Sequence, residues 1–377
     1  MAGLRVHLAG SAALDCEPAL LASAHTFIAA LCRHLIDDGE GILVGAGGEP
    51  RGDAGLPCIF DWTALEVIST ASAPDTSWPA TRSGRYVAVS SQRGIEKIPE
   101  DRAPIWRACK GRSDFKLDIT PPGWRMAGLI RDQQLLYGDV LVTLGGGAGV
   151  ELLARQYRED GKPVIPIHIE IGSLNNDGNG GSRYLQERAL NEIDTFFHLR
   201  DGAGDAVSRL SDLRFEGDSE PKQLAAATAR LIADLRPRLA FYVRLLDPGH
   251  GEFDAVEEFF REVVDTVMQR NGFRAHEIGM HKPEDAFMNV EIFKLLQRAA
   301  LVVVDLSGVR PNCMMEFGYA LGRRRRYLVS AKKGTYLPFD PDKIPTYFWD
   351  PDLDRDVRIR QYQDRFEIYS EPRPLVS

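Results

Sequence analysis

Asp305, Asn312 and Glu316 are spaced as the end of a strand, the start of a helix and the first turns of that helix would space them. Leu301 to Val304 is a short, wholly apolar and mainly β-branched run, which predicts a strand buried on both faces of a parallel sheet. Asp305 closes that strand, and Leu306 to Arg310 forms a loop. Pro311 and Asn312 open a helix, with Asn312 read as its cap, and Gly322 ends it. In open parallel sheets ligands gather at the carboxyl ends of strands, where loops run into helix N-termini. The three polar side chains are therefore expected at one ligand edge. A helix dipole favours an ionised Glu316 there. A positioned, ionised carboxylate suits attack at a sugar anomeric carbon, because a departing base leaves an oxocarbenium-like centre. Loop capping by Asp305 and plain dipole complementation by Glu316 would produce the same spacing.

A second set of residues suits anion binding. Gly10 and Ser11 turn the chain after a strand at Leu4 to Leu8, and Gly45, Gly47, Gly48 and Arg51 follow a strand at Ile42 to Val44. Gly145, Gly146, Gly147 and Gly149 follow a strand at Asp139 to Leu144 and open a helix at Val150 to Glu159. Successive glycines after a strand let backbone N–H groups approach a phosphate, and an arginine adds a charge-assisted contact. A plain glycine-rich turn has the same composition.

The elements that must carry these residues alternate between strand and helix. Leu20, Leu21, Ala24, Phe27, Ile28, Leu31 and Leu35 recur at helical spacing within Pro18 to Asp37. Thr63 to Thr70 and Trp124 to Leu136 read as helices, and Arg85 to Ser90 as a strand. Ile105 to Pro122 reads as a polar cover. Pro163 to Ile171 predicts a strand with His168 and Glu170 opposite its isoleucines, followed by a glycine-rich loop at Gly172 to Gly181. Helical patterns return at Tyr184 to Thr195 and Lys222 to Leu235, and Pro237 marks a junction. Two domains, residues 1–236 and 237–377, follow from this and from a length too great for one ordinary domain. The second repeats the alternation: a strand at Phe241 to Leu245, a loop at Asp247 to Glu252, and an amphipathic helix at Phe253 to Arg270. A strand at Arg274 to Ile278, a helix at Val290 to Arg298, the basic run Arg323 to Arg326 and a strand at Tyr327 to Ser330 complete it.

A net charge of −8 argues against a general nucleic-acid or membrane-surface binder. No apolar run is read as a membrane span, and the five cysteines show no paired spacing. Reduced thiols in a cytoplasmic protein, with no metal site, are the expectation.

The run DLSGVRPNCMMEFGYALG resembles the signature of the nucleoside 2-deoxyribosyltransferase-like superfamily and its TIR-like relatives. That resemblance implies a nucleophilic role for Glu316 and nucleoside binding by Asp305. The run TLGGGAGVELLARQYREDGKPVIPIHI, with the Gly10 and Gly45 turns, is similar to the SLOG superfamily, which includes cytokinin-activating phosphoribohydrolases, the DprA/Smf proteins and sensor domains of bacterial immune effectors. Alignment of its glycines puts Leu153 where the enzymes carry a catalytic Glu, so the resemblance implies ligand binding without phosphoribohydrolase chemistry. Together these imply two Rossmann-like (flavodoxin-like) α/β domains with mainly parallel sheets flanked by helices. The implied activity is that of an antiviral defence effector: a nucleotide signal, cyclic or linear, gates hydrolysis of an N-glycosidic bond in NAD, a nucleoside or a nucleotide. No other cofactor is implied, and a homo-oligomer is expected. A non-catalytic nucleotide sensor and a housekeeping deoxyribosyltransferase are the alternatives.

Overall fold

A computed structural model describes residues 3–72, 78, 84–120, 126–175, 181–215, 220–235, 238–276, 292–293, 295–296, 299–323, 325–340 and 343–369. The chain divides into two compact units, Gly3–Arg236 and Pro237–Ser377. Parts of the expected Gly172–Gly181 loop, Trp124–Leu136 and Val290–Arg298 helices, Arg274–Ile278 strand and Arg323–Arg326 run lie outside the described residues.

In the first unit the strands are β1 (Arg5–Ser11), β2 (Gly41–Gly45), β3 (Tyr86–Ser91), β4 (Phe115–Thr120), β5 (Val140–Gly145) and β6 (Val164–Ile167). They form one parallel sheet in the order β4-β3-β2-β1-β5-β6. The helices are α1 (Pro18–Asp37), α2 (Asp61–Thr70), α3 (Gln92–Glu96), α4 (Ala103–Lys110), α5 (Met126–Tyr137), α6 (Ala148–Glu159), α7 (Gly181–Asn191), α8 (Ala206–Ser211) and α9 (Pro221–Ala233). By length and composition α1 could cross a membrane, contrary to the expectation that no run would. Its stripe of Leu21, Ala24, Phe27, Ile28, Leu31 and Leu35 is instead buried in the core of this unit with Val6, Ile42 and Leu231.

Two local expectations fail here. Ile105 to Pro122 is no polar cover but contains most of α4 and an edge strand, β4, that pairs with β3 along its whole length. The strand expected to reach Ile171 stops at Ile167. The His168 N–H donates to the Leu213 carbonyl (2.9 Å) and the His168 carbonyl accepts from Phe215 (2.8 Å), which takes the backbone away from β5.

The second unit has β7 (Arg238–Val243), β8 (Phe273–His276), β9 (Leu301–Asp305), β10 (Tyr327–Lys332) and β11 (Thr346–Trp349), all parallel, in the order β11-β10-β9-β7-β8. Successive residues of a strand face opposite sides of a sheet. Tyr242 and Val303 accordingly join α10 (Phe253–Phe259), α11 (Asp265–Arg270) and the C-terminal helix (Arg355–Tyr369) in one core through Val256, Phe259, Val267 and Tyr362. Phe241, Val243, Val302 and Val304 pack on the other side against Cys313, Phe317 and Ala320 of α12 (Pro311–Gly322). The helix expected as one piece from Phe253 to Arg270 is interrupted by a π turn at Phe260–Val264. That extra residue in the turn buries Phe259 and Phe260 together, edge to face at 6.0 Å between ring centroids.

Candidate functional site

Strand order picks out one crevice in each unit. In the first, β1 to β4 step outward on one side and β5 and β6 lie on the other, so the direction reverses between β1 and β5. In the second, β8 lies on one side of β7 and β9 to β11 on the other, so it reverses between β7 and β9. The latter is the flavodoxin-like 2-1-3-4-5 order. At such switch points the loops leave the sheet toward opposite faces and open a crevice at the carboxyl edge.

The first crevice joins two glycine turns singled out from the sequence. Ser11 pairs with Gly145, and the Gly146 N–H donates to the Ser11 carbonyl at 2.7 Å and the Gly172 carbonyl at 3.1 Å. Gly145 and Gly146 have φ of 60° and 76°, and a Cβ on Gly10 would stand 1.9 Å from the Leu144 carbonyl oxygen. These glycines are thus required by the close approach of the two strands. After β1, Ala12 and Ala13 spend their N–H groups on Cys58 and Ile171, and the Ser11 hydroxyl accepts from Leu174 N (3.2 Å). Free donors lie at the start of α6: the N–H groups of Gly147, Ala148 and Gly149 have no partner among the described residues. Leu153 is buried in the core, as its apolar character implies.

The Gly45 turn is built differently. The Gly45 N–H donates to Asp61 Oδ1 at 2.7 Å, and Trp62 Nε1 donates to the Gly47 carbonyl at 3.0 Å. Burial raises the Asp61 carboxyl to about 6, against the pull of that N–H. Arg51, expected on a phosphate, is held by carboxylates: it pairs with Glu49 and lies 3.3 Å from Asp101, while Arg102 takes the other Glu49 oxygen at 2.7 Å. Gly48 would meet only ordinary contacts if it carried a Cβ, as would Gly47.

In the second crevice the three expected residues behave differently from one another. Asp305 is fully buried. Its Oδ2 accepts from Ser330 Oγ and Trp349 Nε1, both at 2.8 Å, and its Oδ1 from the Ser307 N–H at 3.0 Å. Burial raises this carboxyl, and the donors from Ser307, Trp349 and Ser330 oppose the rise. Enclosed in this way, Asp305 fixes the loop that follows it, where Ser307 Oγ accepts from the Lys332 N–H at 2.7 Å. Asn312 is not the cap it was expected to be. Arg310 holds the cap position, no side chain caps the helix, and Asn312 sits exposed in the first turn.

Glu316 lies four residues after Asn312, on the same side of α12. Its neighbours in register, Cys313 and Phe317, face the core, so the carboxyl sits at the margin of the buried stripe. It makes no hydrogen bond or ion pair among the described residues, and burial alone raises it to about 7. The expectation of a fully ionised group fails because desolvation outweighs the dipole of a helix whose start is more than a turn away. Burial likewise raises the Cys313 thiol to about 12, with Glu316 and Asp305 adding to it, which removes it as a nucleophile at neutral pH.

The opposite wall of this crevice was not foreseen. His250, between β7 and α10, lies over Gly308: a Cβ there would stand 2.7 Å from the ring Cε1. Gly308 and Val309 both have positive φ, 75° and 47°, and a β-branched residue in that region is strained by on the order of 1 kcal/mol. Asp247 pairs with Arg310 at 3.5 Å and Glu252 with Lys332 at 2.6 Å, so the β7 loop is tied to both the β9 loop and the end of β10. The Gly249–Gly251 spacing around a histidine was the available signal.

The family model "ATP nucleosidase Cap17-like, N-terminal" matches residues 1–231. The chain belongs to that family. ATP nucleosidase Cap17 of Escherichia coli (strain KTE188) is 27% identical over 176 residues, which is 46% of this chain and 34% of the relative, and the Escherichia coli protein of the same name aligns equally. The matched part thus spans about a third of the curated relatives. Similar solved structures include DNA processing protein A from Helicobacter pylori (TM-score 0.31, 16% identity, 56% of this chain and 80% of that one). The Moco carrier protein of Chlamydomonas rheinhardtii is another (TM-score 0.33, 14% identity, 62% and 100%).

Proposed function

We propose that the protein is a nucleotide-gated N-glycosidase of antiviral defence. Its second unit cleaves the bond between base and sugar through Glu316, and its first unit binds the nucleotide signal at the start of α6. The observation that carries this is Glu316: a desolvated carboxyl without a partner, at the ligand edge of a flavodoxin-like sheet. Kinship with a family named for ATP nucleosidases favours a nucleotide substrate. With its carboxyl raised to about 7, Glu316 ionises in the neutral range and its carboxylate can attack C1′ or activate water there. In this reading Asp305 supports the loop, and Asn312, exposed on the same side of α12 as Glu316, meets a ribose hydroxyl. Gating belongs to the same reading, because a signal that binds the active state more tightly shifts the population toward it. Assembly into homo-oligomers is expected to accompany activation.

The test is to incubate the purified full chain with ATP, NAD and deoxynucleosides, with and without cyclic nucleotides, and measure released base. Glu316→Gln should abolish release while the variant stays folded. One observation favours a second reading. The family match lies on the first unit, which holds a buried carboxyl of its own at the β2 edge, Asp61. Loss of base release in Asp61→Asn, with Glu316→Gln fully active, would move the chemistry there.

A further inference from the structure

The wall of the second crevice opposite Glu316 carries a histidine to which nothing above gives a task. His250 Nδ1 accepts the backbone N–H of Glu252 at 3.1 Å. A nitrogen that accepts cannot carry the proton, so the ring is the neutral tautomer with its hydrogen on Nε2. Among the described residues Nε2 has no hydrogen-bond partner, and it lies 3.1 Å from where a Cβ of Gly308 would be. Only a glycine leaves room for the ring, and the left-handed backbone of Gly308 also requires one. The His250 backbone is fixed at both ends, its N–H donating to the Asp247 carbonyl and its carbonyl accepting from Phe253, each at 3.0 Å.

The placement across the crevice matters as much. The β7 loop leads to α10 on one face of the sheet, whereas the β9 loop leads to α12 on the other. His250 and Glu316 therefore flank the switch point from opposite sides. A carboxylate acting at C1′ works from the side away from the departing base, which puts the base against the His250 wall.

We infer that His250 donates its Nε2–H to the departing nucleobase, and that the substrates of this site are nucleotides whose base leaves with negative charge. This rests on the N-glycosidase reading of Glu316. When the C1′–N9 bond of an adenine nucleotide breaks, its electron pair goes to the base, and a fixed donor stabilises the charge that develops. Nicotinamide differs: it begins as a cation in NAD and departs neutral, so a donor there gains nothing. His250 thus selects ATP-like substrates over NAD.

Two substitutions separate this from a structural role. Asn at 250 keeps an acceptor near Nδ1 for the Glu252 N–H but has no donor near Nε2. Gln places an N–H near Nε2. With ATP as the probe and adenine release as the readout, His250→Asn should lower kcat about tenfold or more, in keeping with loss of one transition-state donor, while His250→Gln stays within about threefold of the parent. Nicotinamide release from NAD should be absent or the same in all three proteins. An Asn variant as fast as the parent, a Gln variant as slow as Asn, or an equal loss with NAD would each overturn the inference. Should either variant fail to fold, two-bond 1H–15N spectra of the parent decide: a proton on Nδ1 overturns it and one on Nε2 supports it. Glu316→Gln is assayed alongside. If that variant keeps full activity, or the parent releases no base from ATP, NAD or deoxynucleosides, the underlying reading falls and this inference with it; release from NAD but not from ATP overturns the inference alone. If Glu316→Gln is dead and His250→Asn is not, only the inference falls.

Discussion

The two switch points make opposite use of the same architecture. In the first unit the crevice is made of backbone: positive-φ glycines bring β1 against β5, and the open groups are N–H donors at the start of α6. In the second it is made of side chains, with Glu316 and His250 on opposite walls and a strained loop between them. Backbone donors bind an anion without altering it, because no proton or electron pair is available to move. A desolvated carboxyl near neutrality can do chemistry. On the proposed reading, the contrast teaches how one sheet topology serves as receptor in one unit and as reaction centre in the other.

The sharpest way to break this contrast is at Glu316. Glu316→Gln should slow base release by at least about a hundredfold with its melting temperature retained, as loss of a principal catalytic group does. A folded variant of undiminished rate would make the second crevice a binding site like the first.

Asp305→Asn probes the frame behind it. An amide has one acceptor oxygen in place of two, so with that oxygen kept toward Ser330 and Trp349 its NH2 group faces the Ser307 N–H, which loses its acceptor. Thermal unfolding should show a loss of about 2 kcal/mol. An unchanged melting temperature with impaired kinetics would return Asp305 to the ligand-binding role first expected of it.

On the receptor side, Gly147→Asp sets a negative charge among the α6 N–H groups. Calorimetry on the full chain should show nucleotide affinity falling by about tenfold, in the range of charge effects at a helix start, and base release should lose its dependence on the signal. Equal binding by the variant would take the signal away from this crevice.

The smallest effect is one of pH. Folding raises the Glu316 carboxyl from 4.5 to about 7, so the folded state holds that proton more tightly. Its stabilising contribution is complete below pH 4.5 and disappears as pH rises to 7. Above pH 7, Glu316→Gln should therefore be the more stable protein, and below pH 4.5 the two should match. In the parent, kcat/KM for base release should climb with pH through about 7 as the carboxylate forms.

Local order determines most of what the sequence reveals on its own. Alternating apolar runs and helical stripes foretell the α/β architecture with its parallel sheets, and of the eleven strands among the described residues nine lie in the expected places. Period-2 and period-3.6 patterns and glycine turns are properties of neighbouring residues. Glu316 was legible for that reason, since a carboxylate in the first turns after a buried strand is a local pattern. Missed elements were those with weak patterns, such as β4, whose residues are mostly half-buried.

Only the tertiary structure decided what each polar group does, because desolvation and long hydrogen bonds depend on atoms far away in the chain. Asp305 is sealed by Trp349, 44 residues on. Arg51 bonds Glu49 beside it and Asp101 fifty residues away. His250 gains its tautomer locally from Glu252, yet its place over Gly308 comes from the adjacency of β7 and β9, which no local pattern encodes. Strand order set both crevices, and strand order is a long-range property: it follows from which apolar faces pack together when the whole chain has folded.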